Sequence, residues 1–574
     1  MKQVRSLFIG MMIGVMLTSA CARFGGSGAT ATPSPTVVPT AAPSPTPPVA
    51  VPVSPAIGLP SGTDGLPWWN DAVFYEIFVR SFYDSNGDGV GDFNGITAKL
   101  DYLNDGNPAT TADLGVTGLW LMPIFPSPSY HGYDVTDYFD VNPDYGTLAD
   151  FRHLLAEAHK RGIRIILDLV LNHTSDQHPW FIQAEDTASP YRDFYIWSDA
   201  DPGYRGPWGE KVWHRTGWGY YYGIFSDRMP DLNYNNPEVT AQMDEVVKFW
   251  LTDMGADGFR LDAAKHLIEE RALQAHTQST HQWYKQFRPY YKGLNPQALT
   301  VGELFGDSPT ILASYTSGDQ LDLAFEFGIA NAFLAAAQAQ IATDLNGTLQ
   351  DSYGRLLPGQ FATFLTNHDQ NRAISQLSGS ADKAAVAASL LLTSPGVPFI
   401  YYGEEIGMPG QKPDEDLRRP MQWSADAQAG FTTGSPWRTP DSNYALANVA
   451  AQFADPASLL SHYRALLALR SEHAALRVGS LNLVHANNPG LFADLRLSAG
   501  EAVLVLVNLT SDPIADYALT LDQSALAPGA YAAASLMGSG PFAGLTVVDG
   551  GGFKDYQPAE SLPAYGTIVI QLQK

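Results

Sequence analysis

Four apolar runs in this chain end on residues able to do chemistry. They close as Asp168-Leu169-Val170-Leu171-Asn172-His173, as Gly258-Phe259-Arg260-Leu261-Asp262 followed by Ala263-Ala264-Lys265-His266, as Gly302-Glu303, and as Asn367-His368-Asp369. Asp262, Glu303 and Asp369 are far apart in sequence, so they act together only if the fold gathers them. A carboxylate beside Arg260 stays ionised, because the cation lowers its pKa. It can serve as a nucleophile or stabilise an oxocarbenium ion. A second acid, in a less polar setting among other negative charges, keeps its proton and can donate it. That division of labour is the chemistry of glycoside hydrolysis. One acid at a strand end is usually a cap or a metal ligand; four such ends reverse those odds.

Something must bring those ends to one place. From Ala72 onward, short apolar runs alternate with longer amphipathic stretches. The expected strands are Ala72–Val79, Val116–Met122, Ile163–Leu171, Ala256–Leu261, Leu299–Leu304, Leu321–Phe327, Phe361–Thr366 and Val397–Tyr402. Helical patterns such as Ala149–Arg161 and Pro237–Met254 lie between them. Repeated β-α alternation predicts a parallel sheet, and eight units predict an α/β fold, a closed (β/α)8 TIM barrel. The C-terminal ends of such strands converge on one face.

The expected organisation is barrel over 67–173 and 237–474, with an inserted, loop-rich domain after strand 3 over 174–236. The insertion carries Trp180, Trp197, Trp208, Trp213 and Trp218 of the chain's 12 tryptophans. Half of these rings are expected to form a satellite core of the insertion. Beyond 475, Leu481–Val484, Leu491–Leu497, Ala502–Leu509 and Thr567–Leu572 lack helical partners and predict a C-terminal antiparallel β-sandwich domain over 475–574.

Composition narrows the function. In 574 residues, 34 Lys+Arg stand against 59 Asp+Glu, for a formal charge of −25. A field of that sign repels phosphate backbones, which argues against nucleic acid as a partner. The 45% hydrophobic content excludes global disorder. A single cysteine excludes an internal disulfide framework and a Cys-based zinc site. No His-Glu-x-x-His segment suggests a zinc hydrolase.

Residues 1–21 have the charged start and short apolar middle of a secretory signal, too short for a comfortable span. Leu17-Thr18-Ser19-Ala20-Cys21 resembles a bacterial lipobox, with Thr18 departing from the usual Leu. Cleavage after Ala22 is the rival reading; the lone cysteine favours a lipoprotein. Residues 22–66 are a Pro/Ser/Thr-rich linker that cannot bury a core. The expected location is outside the cytoplasm, anchored at the membrane or secreted, as a monomer.

With these motifs in view, the chain resembles the α-amylase family of glycoside hydrolases (the family 13 type) from about Pro67 to the C-terminus. The resemblance rests on Asp168–His173, Gly258–His266, Glu303, Phe364–Asp369, Met229-Pro230-Asp231-Leu232-Asn233 and Gly396–Glu405. It implies Asp262 as nucleophile, Glu303 as general acid/base and Asp369 as the third acid, in a retaining mechanism. It further implies that Arg260 orients Asp262, that His173 and His368 bond the sugar, and that Tyr133 stacks on it. His131, Lys265, His266 and Arg419 complete the implied substrate contacts.

Asp84-Ser85-Asn86-Gly87-Asp88-Gly89-Val90-Gly91-Asp92 alternates oxygen side chains with glycines, as a hard cation requires. Gly95 stands where an EF-hand has its closing Glu, so it is not an EF-hand. The resemblance implies a Ca2+ loop ligated by Asp84, Asn86, Asp88, Asp92 and the Val90 carbonyl, and a second calcium at Asn172. On specificity the chain is intermediate. Tyr130 occupies the place of the exo-acting relatives' clamping Asp, and His131-Gly132-Tyr133 and Lys265-His266 resemble endo-acting α-amylases. Arg419–Trp423 and Met229–Asn233 lean toward oligo-1,6-glucosidases. The expected activity is endo-acting cleavage of α-1,4-glucans. The alternatives are an exo-acting α-glucosidase, an oligo-1,6-glucosidase or a 4-α-glucanotransferase; a non-enzymatic carbohydrate-binding relative is disfavoured by the intact acids.

Overall fold

The computed structural model describes residues 62–357 and 359–574. The signal, Cys21 and most of the linker lie outside them. Eight parallel strands close a barrel: β1 (Phe74–Ile77), β2 (Gly118–Leu121), β3 (Arg164–Leu169), β4 (Gly258–Leu261), β5 (Leu299–Gly302), β6 (Leu323–Phe325), β7 (Phe361–Phe364) and β8 (Val397–Tyr401). Each pairs with its neighbours in sequence, and β8 closes on β1 through Phe74 opposite Phe399. All eight expected strands are present, each one to four residues shorter than its apolar run. The runs are continuous because barrel strands are buried on both faces. Phe74, Trp120, Ile166, Val301, Phe325, Phe364 and Phe399 fill the interior. The Phe74 and Phe399 rings stack 4.5 Å apart.

Local signals set the crossovers. Helix Leu148–Lys160 opens on a Thr147–Asp150 capping box. Helix Pro237–Lys248 opens on Asn236 with Pro at its first position, and a π-turn Phe249–Met254 carries it to Gly255 at φ 87°. Gly258 starts β4 beside β5, where a Cβ would lie 2.1 Å from the Leu299 carbonyl oxygen.

The inserted segment holds a three-stranded sheet of Trp197–Ser198, Trp213–Thr216 and Gly219–Tyr222. Val212, Trp213, Tyr222 and Ile224 form its own small core, while Trp208 and Trp218 are exposed. The C-terminal domain is a six-stranded antiparallel sheet facing a three-stranded one. Leu495, Leu504 and Ile570 of the first pack with Leu519 and Phe553 of the second. Among the described residues no helix is long and apolar enough to cross a membrane.

Candidate active site

Arg260, near the end of β4 and 1% exposed, organises the site. Its Nη1 donates to Asp262 Oδ1 at 2.7 Å and to Asp168 Oδ1 at 2.8 Å. Its Nη2 donates to Glu303 Oε2 at 2.8 Å. One guanidinium therefore joins the ends of β3, β4 and β5. The chain turns sharply after Asp262: Ala263 sits at φ 48°, and its N–H donates to Glu303 Oε2 at 3.2 Å. A non-glycine residue held left-handed is strained backbone, of the kind that collects at functional sites.

Asp369 faces the same cleft from the loop after β7. Arg418 Nη2 donates to its Oδ1 at 2.8 Å, and His368 Nε2 lies 3.2 Å from its Oδ2. Burial pushes this carboxyl up, but the His368 and Arg418 charges overcome it and hold Asp369 well below the usual carboxylate range.

Asp262 departs from expectation. Its pKa is raised: burial outweighs Arg260, and Asp369 adds to the rise. The reason is stoichiometric, since one guanidinium serves three carboxyls. Glu303 is also raised, by burial first and then by Asp262 and Asp369, against Arg260. Asp168 is pushed up to about 7 by burial despite Arg260. Around the cleft, Glu76, Asp168, Asp262, Glu303 and Asp369 face three cations, Arg260, Arg418 and His368. That imbalance favours retention of a proton among the acids.

The cleft divides around the acids. One side is lined by His131, Tyr133, His173, Met229, Asp414 and Arg418. The other is lined by Trp208, Ala263, Lys265, His266 and Phe305. Phe225, Glu303 and Asp369 border both. Tyr133 stacks on His368 at 5.6 Å and bonds Asp168 Oδ2 at 3.0 Å through its hydroxyl. His173 and His266 are held neutral by burial, each at about 4. Lys265 donates to the Phe305 carbonyl at 2.6 Å and Asp307 at 3.1 Å, which fixes the loop after β5.

Arg419 is not in the cleft. It pairs with Asp416 at 2.7 Å and donates to the Thr439 carbonyl. Its neighbour Arg418 takes the place expected of it. Glu76, Asp414 and Arg418 are not among the expected site residues, and Asp168 is expected only as the start of a strand-end motif, without a role. Asp168 and Glu76 lie inside apolar strands.

The segment expected to bind calcium, Asp84–Asp92, is a tight loop held by its own side chains. Gly87 and Gly89 take φ of 86° and 97°. Asp84 accepts the amides of Asn86, Gly87 and Gly89, and Asp88 accepts that of Val90. Asp92 accepts from Ser85 and caps the next helix at Gly95.

A barrel whose strand ends gather three acids around one arginine is the working arrangement of a glycoside hydrolase. The model for the alpha-amylase catalytic domain matches residues 76–479, and the chain belongs to that family of enzymes. It is 42% identical to "Alpha-amylase 3" of Dictyoglomus thermophilum over 452 residues, covering 77% of this chain and 85% of that one. It is 34% identical to an oligo-1,6-glucosidase of Parageobacillus thermoglucosidasius over 517 residues, covering 77% and 90%. The crystal structure of the α-amylase from H. orenii superposes with a TM-score of 0.77 at 42% identity, covering 88% of this chain and 99% of that one.

Proposed function

We propose that this protein is a retaining, endo-acting α-amylase that hydrolyses α-1,4-glucosidic bonds of starch and maltodextrins. The observation that carries the reading is a cleft continuing past Glu303 and Asp369 on both sides. A chain bound there extends beyond the acids in both directions. Tyr130, where an exo-acting relative would carry a clamping carboxylate, instead stacks on Trp437 at 5.4 Å.

In the proposed mechanism Asp262 attacks the anomeric carbon while Glu303, its proton retained by burial, protonates the departing glycosidic oxygen. Glu303 then takes a proton from water, which displaces Asp262 from the glycosyl-enzyme. The attack uses Asp262 as the carboxylate, the form that its 2.7 Å pairing with Arg260 favours, and the positive charge that develops on the anomeric carbon in the transition state is stabilised beside it. Asp369, kept ionised by Arg418 and His368, accepts hydrogen bonds from sugar hydroxyls. Tyr133 offers a stacking face, and His131 and His173 offer ring nitrogens. Trp208 and Phe305, 58% and 51% exposed, give apolar faces for the leaving portion of the chain.

Calcium belongs to the same proposal. Asp84, Asn86, Asp88, Asp92 and the Val90 carbonyl form an all-oxygen set suited to a hard cation. Each Asp88 oxygen accepts one hydrogen bond and keeps a lone pair to ligate, whereas each Asp84 oxygen accepts two, so Asp84 would ligate by exchanging some of these bonds for the cation. Among the described residues no three acidic or imidazole side chains cluster closely enough to hold a metal by themselves, which makes Asn86 and the carbonyl necessary. A second cation is proposed at the base of the insertion, where Asn172 Oδ1, Asp231 Oδ2 and Glu269 Oε1 are buried without a partner. Bound calcium would stiffen these loops. The enzyme is proposed to act outside the cytoplasm as a monomer tethered through a lipidated Cys21.

The test is maltoheptaose blocked at its non-reducing end. Internal cleavage supports the endo reading. Glucose released only from the unblocked sugar would move the protein to the α-glucosidase side. That second reading has its own support: Asp414, 3.8 Å from Arg418, adds a further carboxylate to the lining of the cleft.

A further inference from the structure

Glu76 has no role in the mechanism above, yet it reaches the site. It lies on β1, 2% exposed, and its Oε1 is 2.5 Å from His368 Nδ1. The other ring nitrogen of His368, Nε2, lies behind Tyr133 and Asp369, 2.7 Å from the Tyr133 hydroxyl and 3.2 Å from Asp369 Oδ2. A neutral imidazole has one N–H. If Nδ1 donated it to Glu76, Nε2 would present a lone pair to the Asp369 carboxylate. Only the imidazolium donates at both ends.

We propose that Glu76 is a positioning residue that holds His368 as an imidazolium, so that Nε2 remains a donor to Asp369, the acid that takes the sugar hydroxyls at the cleavage point. The substrate in that statement rests on the α-glucan reading; the charge state does not.

The surroundings decide which carboxylate matters most. His368 is fully buried, and burial alone would discharge it. Asp369, with its side chain 45% exposed, is partly screened by solvent; Glu76 is not. Asp168 on β3 and Asp262 after β4 add negative charge from further away. Arg260 and Arg418 oppose, and Arg418 also donates to the His368 carbonyl at 3.1 Å. The Trp120 ring, edge-on at 5.6 Å, and the stacked Tyr133 ring exclude water. The balance carries His368 up to about 9, with Asp369 and Glu76 as the charges that overcome burial.

The experiment is an NMR titration of the histidine-labelled protein, with the His368 signal assigned by its loss in His368→Gln. The expected wild-type signal stays that of an imidazolium until about pH 9. Glu76→Gln should bring the transition down by about one unit or more, and Glu76→Asp should restore it. Glu76→Gln should also lose about ten- to a hundredfold in kcat at neutral pH with little change in KM, recovered in Glu76→Asp. A wild-type His368 titrating near its ordinary value overturns the proposal, as does an unchanged transition in Glu76→Gln. If Glu76→Gln fails to fold, the wild-type titration decides alone. Failure of the α-glucan reading would appear separately, as no wild-type activity on any α-glucan with the imidazolium still present.

Discussion

Arg418 donates to Asp369 at 2.8 Å from a position 3% exposed, while the adjacent Arg419 turns away to Asp416. Two arginines side by side in one loop therefore do different work. Arg418 helps to keep Asp369 ionised and fixes its direction. Removing it leaves that carboxyl against burial with His368 as its near cation. Arg418→Ala should lower kcat/KM by about a hundredfold or more. Arg419→Ala should stay within about threefold, since its partners Asp416 and the Thr439 carbonyl lie outside the cleft. Steady-state kinetics of the two variants check this; equal losses would mean that the loop, and not the charge on Asp369, is what matters.

Asp262→Asn and Glu303→Gln should each lose several orders of magnitude in kcat. Both replacements keep a side-chain oxygen to accept from Arg260, so folding should survive. Circular dichroism and melting curves establish the fold, and product chromatography measures turnover. Near-native turnover in either variant would remove that residue from its proposed role.

The barrel was legible because strands buried on both faces are written as unbroken apolar runs, as in Val397–Tyr401. The acids at strand ends were legible for the complementary reason: a carboxylate ends a run that its own burial would penalise. The strand Gly529–Met537 was not legible, because Gly-Ala-Tyr-Ala-Ala-Ala carries neither β-branched residues nor alternation. Arg418 was not distinguished from Arg419, since sequence gives no direction to a side chain in a loop. Glu76 was read as part of a strand, and only the closure of β1 on β8 and β2 brings it beneath His368. The direction of the Asp262 shift was missed because Arg260 was assigned to one acid, and the fold gives it three.

Chelation should lower the melting temperature, because a cation that binds only the folded state stabilises it by mass action. Asp84→Asn should reduce the response to added Ca2+ without abolishing it, leaving the part due to the Asn172–Asp231 position. Differential scanning calorimetry in excess EDTA and in Ca2+ makes the comparison. Superimposed curves for the wild type would exclude a stabilising calcium at both places.

Stability should also fall as the solution becomes alkaline, and the buried acids say why. Glu404, after β8, is pushed up to about 8 by burial, helped by Glu405 and opposed by the Tyr463 hydroxyl that donates to it at 2.9 Å. Asp494 is raised to about 7 by burial as well. A carboxyl raised on folding binds its proton more tightly in the folded state. Its contribution is complete below the unfolded carboxylate range and is lost as pH rises through the folded value. The window for Glu404 therefore runs from about 4.5 to about 8. Glu404→Gln keeps an acceptor for Tyr463 and has no proton to lose. Its melting temperature should decline less steeply between pH 6 and 9 than that of the wild type, and should overtake it near the upper end. Parallel curves for the two proteins would show that Glu404 does not titrate on unfolding in this range, and would leave Asp494 as the group responsible for any slope.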